Sequence, residues 1–194
     1  MRKSAGVLFL ATLTILFACA AAQTVRGQDK KAPPKPSAGL AAEILQEWNY
    51  TGKKLADMAA GFPEDKLDYK ATPVQRTFAE QLLHAAGANY YFIAAATGTQ
   101  PPKDVEQPSR STYKTRAQIV EYIKKVYSDG AAVIGQQGDK GMLGAVKSPF
   151  GNEMNTRATL FMLAIAHAND HYGQCVVYYR LNGLVPPESR GQQQ

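Results

Sequence analysis

Apolar residues recur at helical spacing in four stretches of this chain, and no stretch shows the strict apolar–polar alternation of a half-buried strand. The stretches cover about residues 37–60, 77–98, 115–135 and 155–182. A helix of about 20 residues is roughly 30 Å long, so four such helices can share one core. The pattern predicts an all-α fold, an up-down-type four-helix bundle with no sheet.

Several helix ends carry capping residues. Thr77 with Glu80, and Thr115 with Gln118, have the capping-box spacing, in which the threonine hydroxyl accepts from a backbone N–H and the longer side chain reaches back. Ser37 is the expected cap of the first helix. The stretch 135–151 contains five glycines and is expected to be a long loop. Two interpretations of this loop stay open: it forms the edge or lid of a site, or it is a flexible surface loop without a function.

Residues 1–22 have the three-part pattern of a secretory signal peptide. Arg2 and Lys3 precede an apolar run over residues 6–17, and small residues follow as far as Ala22. Cleavage after Ala22 is the favoured interpretation. Two others stay open: residues 16–19 resemble a lipobox that would make Cys19 a lipidated N-terminus, or the run is an uncleaved anchor. All three place the protein outside the cytoplasm, in the periplasm or extracellular space.

Residues 23–37 are rich in lysine and proline and have almost nothing to bury, which predicts a flexible linker. Residues 38–190 then form one domain, because no later change in composition marks a boundary. The 194 residues are 45% apolar, which suffices for a single core, and the only apolar run is short for a transmembrane domain. The formal charge of +6 lies partly in the linker, so no specific nucleic-acid partner is expected.

The chain contains only three histidines, and their positions suggest a metal site. His167 and His171 are four residues apart and share one face of the last helix. His84 lies near the middle of the second helix. Neutral imidazole is a good ligand for Zn, Ni, Cu and Fe, and three ligands leave a position for water or substrate. The alternative is three packed, hydrogen-bonded core histidines, and spacing alone does not decide between them.

Three segments resemble a known family. Residues 80–86 (EQLLHAA) resemble the second-helix motif of the DinB-like (DinB/YfiT) superfamily. Residues 167–174 (HANDHYGQ) and 179–187 (YRLNGLVPP) resemble its final helix and tail. The resemblance covers residues 38–190 and implies a four-helix bundle with a three-His metal site. It places His84, His167 and His171 at the ligand positions of one divalent metal, with zinc or nickel expected.

Other side chains fall near the histidines if the helices are regular. Glu80 lies one turn before His84 and is the candidate catalytic base, with its capping box as the competing role. Cys175 is expected to be a buried small apolar residue rather than a reactive thiol. The expected pocket is mostly apolar with a few polar groups. Its predicted members are Tyr91, Leu163, Gln174 and Tyr178.

Three functional hypotheses stay open on the sequence. The resemblance implies relatives such as thiol-dependent S-transferases and a mycothiol-dependent maleylpyruvate isomerase, although an exported protein would lie apart from cytoplasmic thiol cofactors. A second hypothesis is metal-assisted hydrolysis in the periplasm. A third is a stress-related bundle that binds a metal or ligand without turnover. A small-molecule ligand is expected, and a homodimer is an open expectation.

Overall fold

The structure is a computed structural model that describes residues 39–105 and 108–191. The predictions for residues 1–22 and 23–37, and those for Cys19 and Ser37, lie outside the described residues. The described chain contains five helices and two short strands. The helices are α1 (Leu40–Gly61), α2 (Phe78–Gly87), α3 (Asn89–Thr97), α4 (Arg116–Met142) and α5 (Arg157–Leu181). The strands are β1 (Ala145–Lys147) and β2 (Met154–Thr156), and single 3₁₀ turns cover Glu64–Lys66 and Pro187–Ser189.

The four-helix bundle predicted from the sequence is confirmed, with α2 and α3 together forming one of its four rods. Helix α1 packs against α4 and α5, and α2 packs against the same two helices. Helices α1 and α2 contact each other only slightly, as do α4 and α5. The order around the bundle is therefore α1, α4, α2/α3, α5. The up-down expectation was wrong in this respect, because the connections after α1 and after α4 cross the bundle to the diagonal position instead of joining neighbours.

Helices α1 and α4 approach closely where glycine on one faces an aromatic ring on the other. A Cβ at Gly52 would lie 2.4 Å from the Tyr127 ring, and one at Gly130 would lie 2.2 Å from the Trp48 ring. The Trp48 indole Nε1 donates to the Tyr127 carbonyl at 2.7 Å. Both rings are nearly or fully buried, so this contact is the centre of the α1–α4 core.

The expected caps are present at two helix starts, and a third threonine caps α5. Thr77 with Glu80, and Thr115 with Gln118, form complete capping boxes. Thr156 caps α5 by accepting from the Thr159 N–H at 3.1 Å. Helix α1 instead follows Gly39, and its Ala41 N–H donates to the Asp139 carboxylate of α4 at 2.8 Å. Within the described residues, the start of α1 is therefore capped by a side chain from α4.

The second predicted helix is interrupted at Ala88, between α2 and α3. The Tyr91 N–H donates to the Ala88 carbonyl, three residues back, so the backbone tightens locally at this point. Gly87, just before the break, allows the chain to approach closely. A Cβ at Gly87 would lie 2.0 Å from the Val105 carbonyl oxygen, so the glycine admits the connection between α3 and α4.

The glycine-rich stretch 135–151 is not one long loop. Helix α4 continues to Met142, interrupted at Gly138, whose φ of 58° favours glycine. Strands β1 and β2 then pair antiparallel, with Ala145 opposite Thr156. The expectation of no sheet was therefore wrong, because strands of three residues are too short to show an alternating pattern.

Arg157 ties this hairpin to the bundle. Its Nε donates to the Ala96 carbonyl at 2.7 Å and its Nη1 to the Gly141 carbonyl at 3.1 Å. The end of α3, the end of α4 and the start of α5 are thereby joined through one guanidinium. Within residues 39–105 and 108–191, no helix is both long and apolar enough to cross a membrane.

Candidate metal centre

The three histidines converge between α2 and α5. Ring centroids lie 4.7 Å apart for His84 and His171, 5.4 Å for His84 and His167, and 4.4 Å for His167 and His171. Each residue offers one ring nitrogen, and these nitrogens lie within 4.8 Å of one another. Their four-residue spacing places His167 and His171 on one face of α5. This face packs against α2 near His84. This cluster could hold a metal ion.

The two α5 imidazoles face each other through their Nε2 atoms, which are 3.0 Å apart. Two neutral ring nitrogens at this distance would repel if both presented lone pairs. The contact therefore fits one ring donating its N–H to the other, or both rings facing a cation. A cation between them would also be within reach of His84.

The cluster favours neutral imidazoles. Burial lowers the pKa of His171 to about 4, and the neighbouring charges of His167 and His84 act in the same direction. Burial and the charge of His84 also lower the pKa of His167, against a raising effect of Asp170. Because neutral imidazole is the ligating form, this donor set fits a divalent metal.

Gln81 is a site residue that the sequence analysis did not single out. It is 2% exposed, and its Nε2 lies 2.5 Å from Nδ1 of His171. The same Nε2 donates to Gln174 Oε1 at 2.8 Å. The available signal was its position one turn before His84, which places Gln81 on the same side of α2. A terminal amide can turn either its nitrogen or its oxygen toward Nδ1, so Gln81 can hold His171 in either tautomer.

His167 has a different environment on its second nitrogen. Its Nδ1 is buried and has no hydrogen-bond partner among the described residues. With Nε2 directed at His171, this ring is held by packing, including the Phe92 ring at a centroid distance of 6.4 Å. The cluster is therefore fixed unequally, with His171 oriented by a hydrogen bond and His167 by its surroundings.

Glu80 takes the capping role that competed with catalysis in the sequence analysis. Its carboxylate accepts from the Thr77 N–H at 2.8 Å, and its own N–H donates to Thr77 Oγ1 at 3.2 Å. Glu80 also lines the cavity that His84 borders. A chemical role for its carboxylate therefore stays a prediction.

The predicted pocket residues separate into two groups. Gln174 and Tyr91 line cavities bordered by His84. Leu163 is 43% exposed and lines neither cavity, since α5 turns this position toward solvent. Tyr178 lines neither, because it is buried and its hydroxyl donates to the Arg76 carbonyl at 2.5 Å. Leu163 and Tyr178 therefore lie outside the lining of both cavities.

Two cavities of different character meet at His84. One has a volume of about 830 Å³ and is mainly polar. Its charged and amide lining consists of Lys70, Arg76, Arg110, Glu80, Gln75, Gln81 and Gln174. The other measures about 340 Å³ and is mainly apolar, with His167 also on its wall. Its remaining lining consists of Ala88, Tyr91, Phe92, Pro149 and Phe150.

Cys175 lies close in sequence to His171, but its thiol is expected to be unreactive. The thiol is free and fully buried, and burial raises its pKa well above the ordinary value. A buried, protonated thiol is neither a good nucleophile nor a good ligand. The expectation of a small apolar core residue is confirmed.

The fold and the site define a class, a helical bundle in which three histidines from two helices could hold a metal beside open cavities. Residues 34–193 match the sequence model of the DinB family, and the chain belongs to that family. No curated protein matches the chain.

Solved structures of DinB-like proteins share the fold. One from Bacillus cereus has a TM-score of 0.64 at 21% identity, covering 75% of this chain and 95% of its own. YjoA from Bacillus subtilis has a TM-score of 0.59 at 18% identity, covering 74% and 94%. YfiT from Bacillus subtilis has a TM-score of 0.57 at 15% identity, covering 80% and 95%. YfiT is described as a probable metal-dependent hydrolase with an unusual four-helix bundle topology. At these identities the likeness establishes the fold.

Proposed function

We propose that this protein is a metal-dependent hydrolase of a small molecule, and that His84, His167 and His171 hold one divalent metal, zinc or nickel. The observation that carries the proposal is the convergence of three ring nitrogens at the wall of open cavities. A structural metal site is usually closed by four protein ligands, whereas a reactive site keeps a position open. The description of YfiT as a probable metal-dependent hydrolase agrees with this choice.

A divalent metal at this position supplies Lewis acidity and activation of water near neutral pH. The chain's own residues prepare the site in two ways. Gln81 holds the His171 ring through Nδ1, which leaves Nε2 directed into the cluster. Glu80 presents a carboxylate to the cavity that His84 borders, where it can take up a proton.

The test is a hydrolysis and transfer screen on protein loaded with zinc or nickel. Ester, amide and thiol-conjugate substrates are offered to the wild type, to His84→Ala and to Asp170→Asn. Asp170 is exposed and acts on His167 only through its charge, so its variant is a control that changes the surroundings of the cluster without removing a ring nitrogen. Hydrolysis by the wild type and by Asp170→Asn, but not by His84→Ala, supports the proposal. Thiol transfer without hydrolysis would replace hydrolase by transferase.

A second candidate function is a binding module without turnover. One observation favours it: the carboxylate of Glu80 already accepts a hydrogen bond from the Thr77 N–H. If the metal-loaded wild type binds small molecules but turns over none of the substrates, the binding module becomes the better account.

Export is a further proposal, and it depends on the signal pattern of residues 1–22. The mass of the protein recovered from the periplasm tests it. A chain beginning after Ala22 agrees with cleavage, a diacylglycerol adduct on Cys19 indicates a lipoprotein, and an intact Met1 in the cytoplasm contradicts export.

We also propose a homodimer. Its support is the exposure of Met162 and Leu163 on α5, at 60% and 43%. Sedimentation of the wild type and of a Met162→Lys variant tests it. Monomers at all concentrations would contradict it.

A further inference from the structure

His84 stands between two cavities that differ in chemistry. Toward one side the lining is cationic and rich in amides, and toward the other it is aromatic and apolar. A molecule that reacts or binds at His84 therefore meets both environments. The wall residues on each side indicate which chemical groups such a molecule carries.

The polar cavity favours an anion. Lys70, Arg76 and Arg110 line it, against Glu80 as the acidic residue among the described lining. Arg110 is already paired, since its Nε and Nη2 donate to the Asp68 carboxylate at 2.8 and 3.1 Å. Neither Lys70 nor Arg76 forms an ion pair within the parts of the chain that the structure describes.

Arg76 is the better placed of these two cations. Its side chain is half-buried, whereas Lys70 is exposed. Its backbone is held by the Tyr178 hydroxyl, which donates to the Arg76 carbonyl at 2.5 Å. The charge of Arg76 also lowers the pKa of His167 and of His171, so the guanidinium is within electrostatic range of the cluster. A guanidinium with free donors binds carboxylate, phosphate or sulfonate groups in a fixed geometry.

The apolar cavity favours an aromatic or aliphatic group. Phe150, on the connection between β1 and β2, is 70% exposed although it is large and apolar. Its ring lies 5.5 Å from the Phe92 ring in an edge-on contact, and Tyr91 completes the wall. A cavity of this size accepts one small ring or a short alkyl chain.

We propose that the site takes a small amphiphilic anion, with its anionic end at Arg76, its apolar end against Phe150 and its middle at His84. This substrate class rests on the proposed function for the reacting step, but binding of the anion does not require the metal. Arg76 is the residue that selects charge, and Phe150 the residue that selects the apolar arm.

Calorimetric titration with ω-phenylalkanesulfonates of increasing chain length tests the proposal. Sulfonates pair with guanidinium but are weak metal ligands, so they report on Arg76 rather than on the histidines. The matching phenylalkanols lack the charge, and alkanesulfonates lack the ring. Each titration is run on metal-free and on metal-loaded protein.

The wild type is expected to bind at least one phenylalkanesulfonate more tightly than its alcohol. Arg76→Gln should weaken sulfonate binding about 10-fold to 100-fold, and Arg76→Lys should weaken it less. Phe150→Ala should weaken the phenyl compounds about 10-fold and the alkanesulfonates less, because an alkyl arm covers less of the Phe150 ring. The controls Arg180→Gln and Leu143→Ala change an exposed cation and an exposed apolar residue outside both cavities. They should bind as the wild type does, and circular dichroism verifies that every variant is folded.

The failure of this proposal is distinguishable from failure of the metal site. Arg76-dependent sulfonate binding in a protein that takes up no metal would sustain the anion site and end the hydrolase proposal. Equal binding of sulfonate by folded Arg76→Gln and wild type would overturn the anion site. Binding of the alcohols as tightly as the sulfonates, or no sulfonate binding at any chain length, would also overturn it.

Discussion

Gln81 and His171 are 90 positions apart in the chain, yet the amide nitrogen of Gln81 lies 2.5 Å from Nδ1 of His171. This contact joins α2 to α5 at the histidine cluster. It leaves the other ring nitrogen of His171 facing His167. Histidine ligands are commonly oriented in this way by a partner on the second nitrogen.

Replacing Gln81 should weaken metal binding without removing a ligand. Gln81→Leu keeps the volume but not the hydrogen bond, and we expect metal affinity to fall about 10-fold to 100-fold. Gln81→Glu replaces the amide by a carboxylate that can accept from Nδ1–H, the tautomer in which Nε2 is free to ligate, and should retain or increase the affinity. Competition with a coloured chelator measures both values. Equal affinities for Gln81→Leu and wild type would show that packing alone orients His171.

The structural and the chemical role of Glu80 can be tested separately. Glutamine also accepts from the N-cap N–H, so Glu80→Gln should change the free energy of unfolding by less than about 0.5 kcal/mol. Thr77→Ala removes the cap itself and should cost about 1 kcal/mol. Both variants should bind metal normally in chelator competition. If Glu80 is the catalytic base, Glu80→Gln should lower kcat about 100-fold or more. An unchanged kcat would mean that Glu80 serves only in the helix cap.

The stability of the metal-free protein should depend on pH because of the histidine cluster. The pKa of His171 is lowered to about 4 in the folded state, whereas the ordinary value is 6.5. Between these two values the unfolded chain binds more protons, so the free energy of unfolding should fall as the pH drops from about 6.5 toward about 4. Urea unfolding at several pH values measures this. His171→Ala should flatten the dependence, and an equally steep curve in that variant would assign it to other groups.

The α1–α4 contact offers a test within one helix. Gly130→Ala would place a Cβ 2.2 Å from the Trp48 ring, and we expect a loss of about 1–3 kcal/mol. Gly135 lies in the same helix, and a Cβ at this position would meet nothing from a neighbouring element within 4 Å. Gly135→Ala should therefore stabilise the protein by up to about 1 kcal/mol. Chemical denaturation compares the two variants. Equal effects would mean that the backbone at Gly130 adjusts freely.

Features that depend on local interactions were predictable from the sequence. The helical stretches, the capping boxes at Thr77 and Thr115 and the shared face of His167 and His171 involve residues within one or two turns of each other. His84 required more, since only the family resemblance placed it opposite the other two.

Features that depend on distant contacts were not predictable. The cap of α1 comes from Asp139, and Gln81 is defined as a site residue only by His171. The β1–β2 pair is held by its own ladder and joined to α3 and α4 through Arg157, which follows β2, and its strands are too short for a recognisable pattern. The crossing order of the helices follows from packing between rods, which no single helix encodes.

The most direct test of the three-His centre is metal analysis of the purified protein and its single variants. The wild type should hold about one divalent ion per chain, and Asp170→Asn should do the same. His84→Ala, His167→Ala and His171→Ala should each lower the affinity steeply, because the chain contains no other histidine to substitute. Wild-type stoichiometry and affinity in His84→Ala would contradict the centre and leave only a pair of histidines on α5.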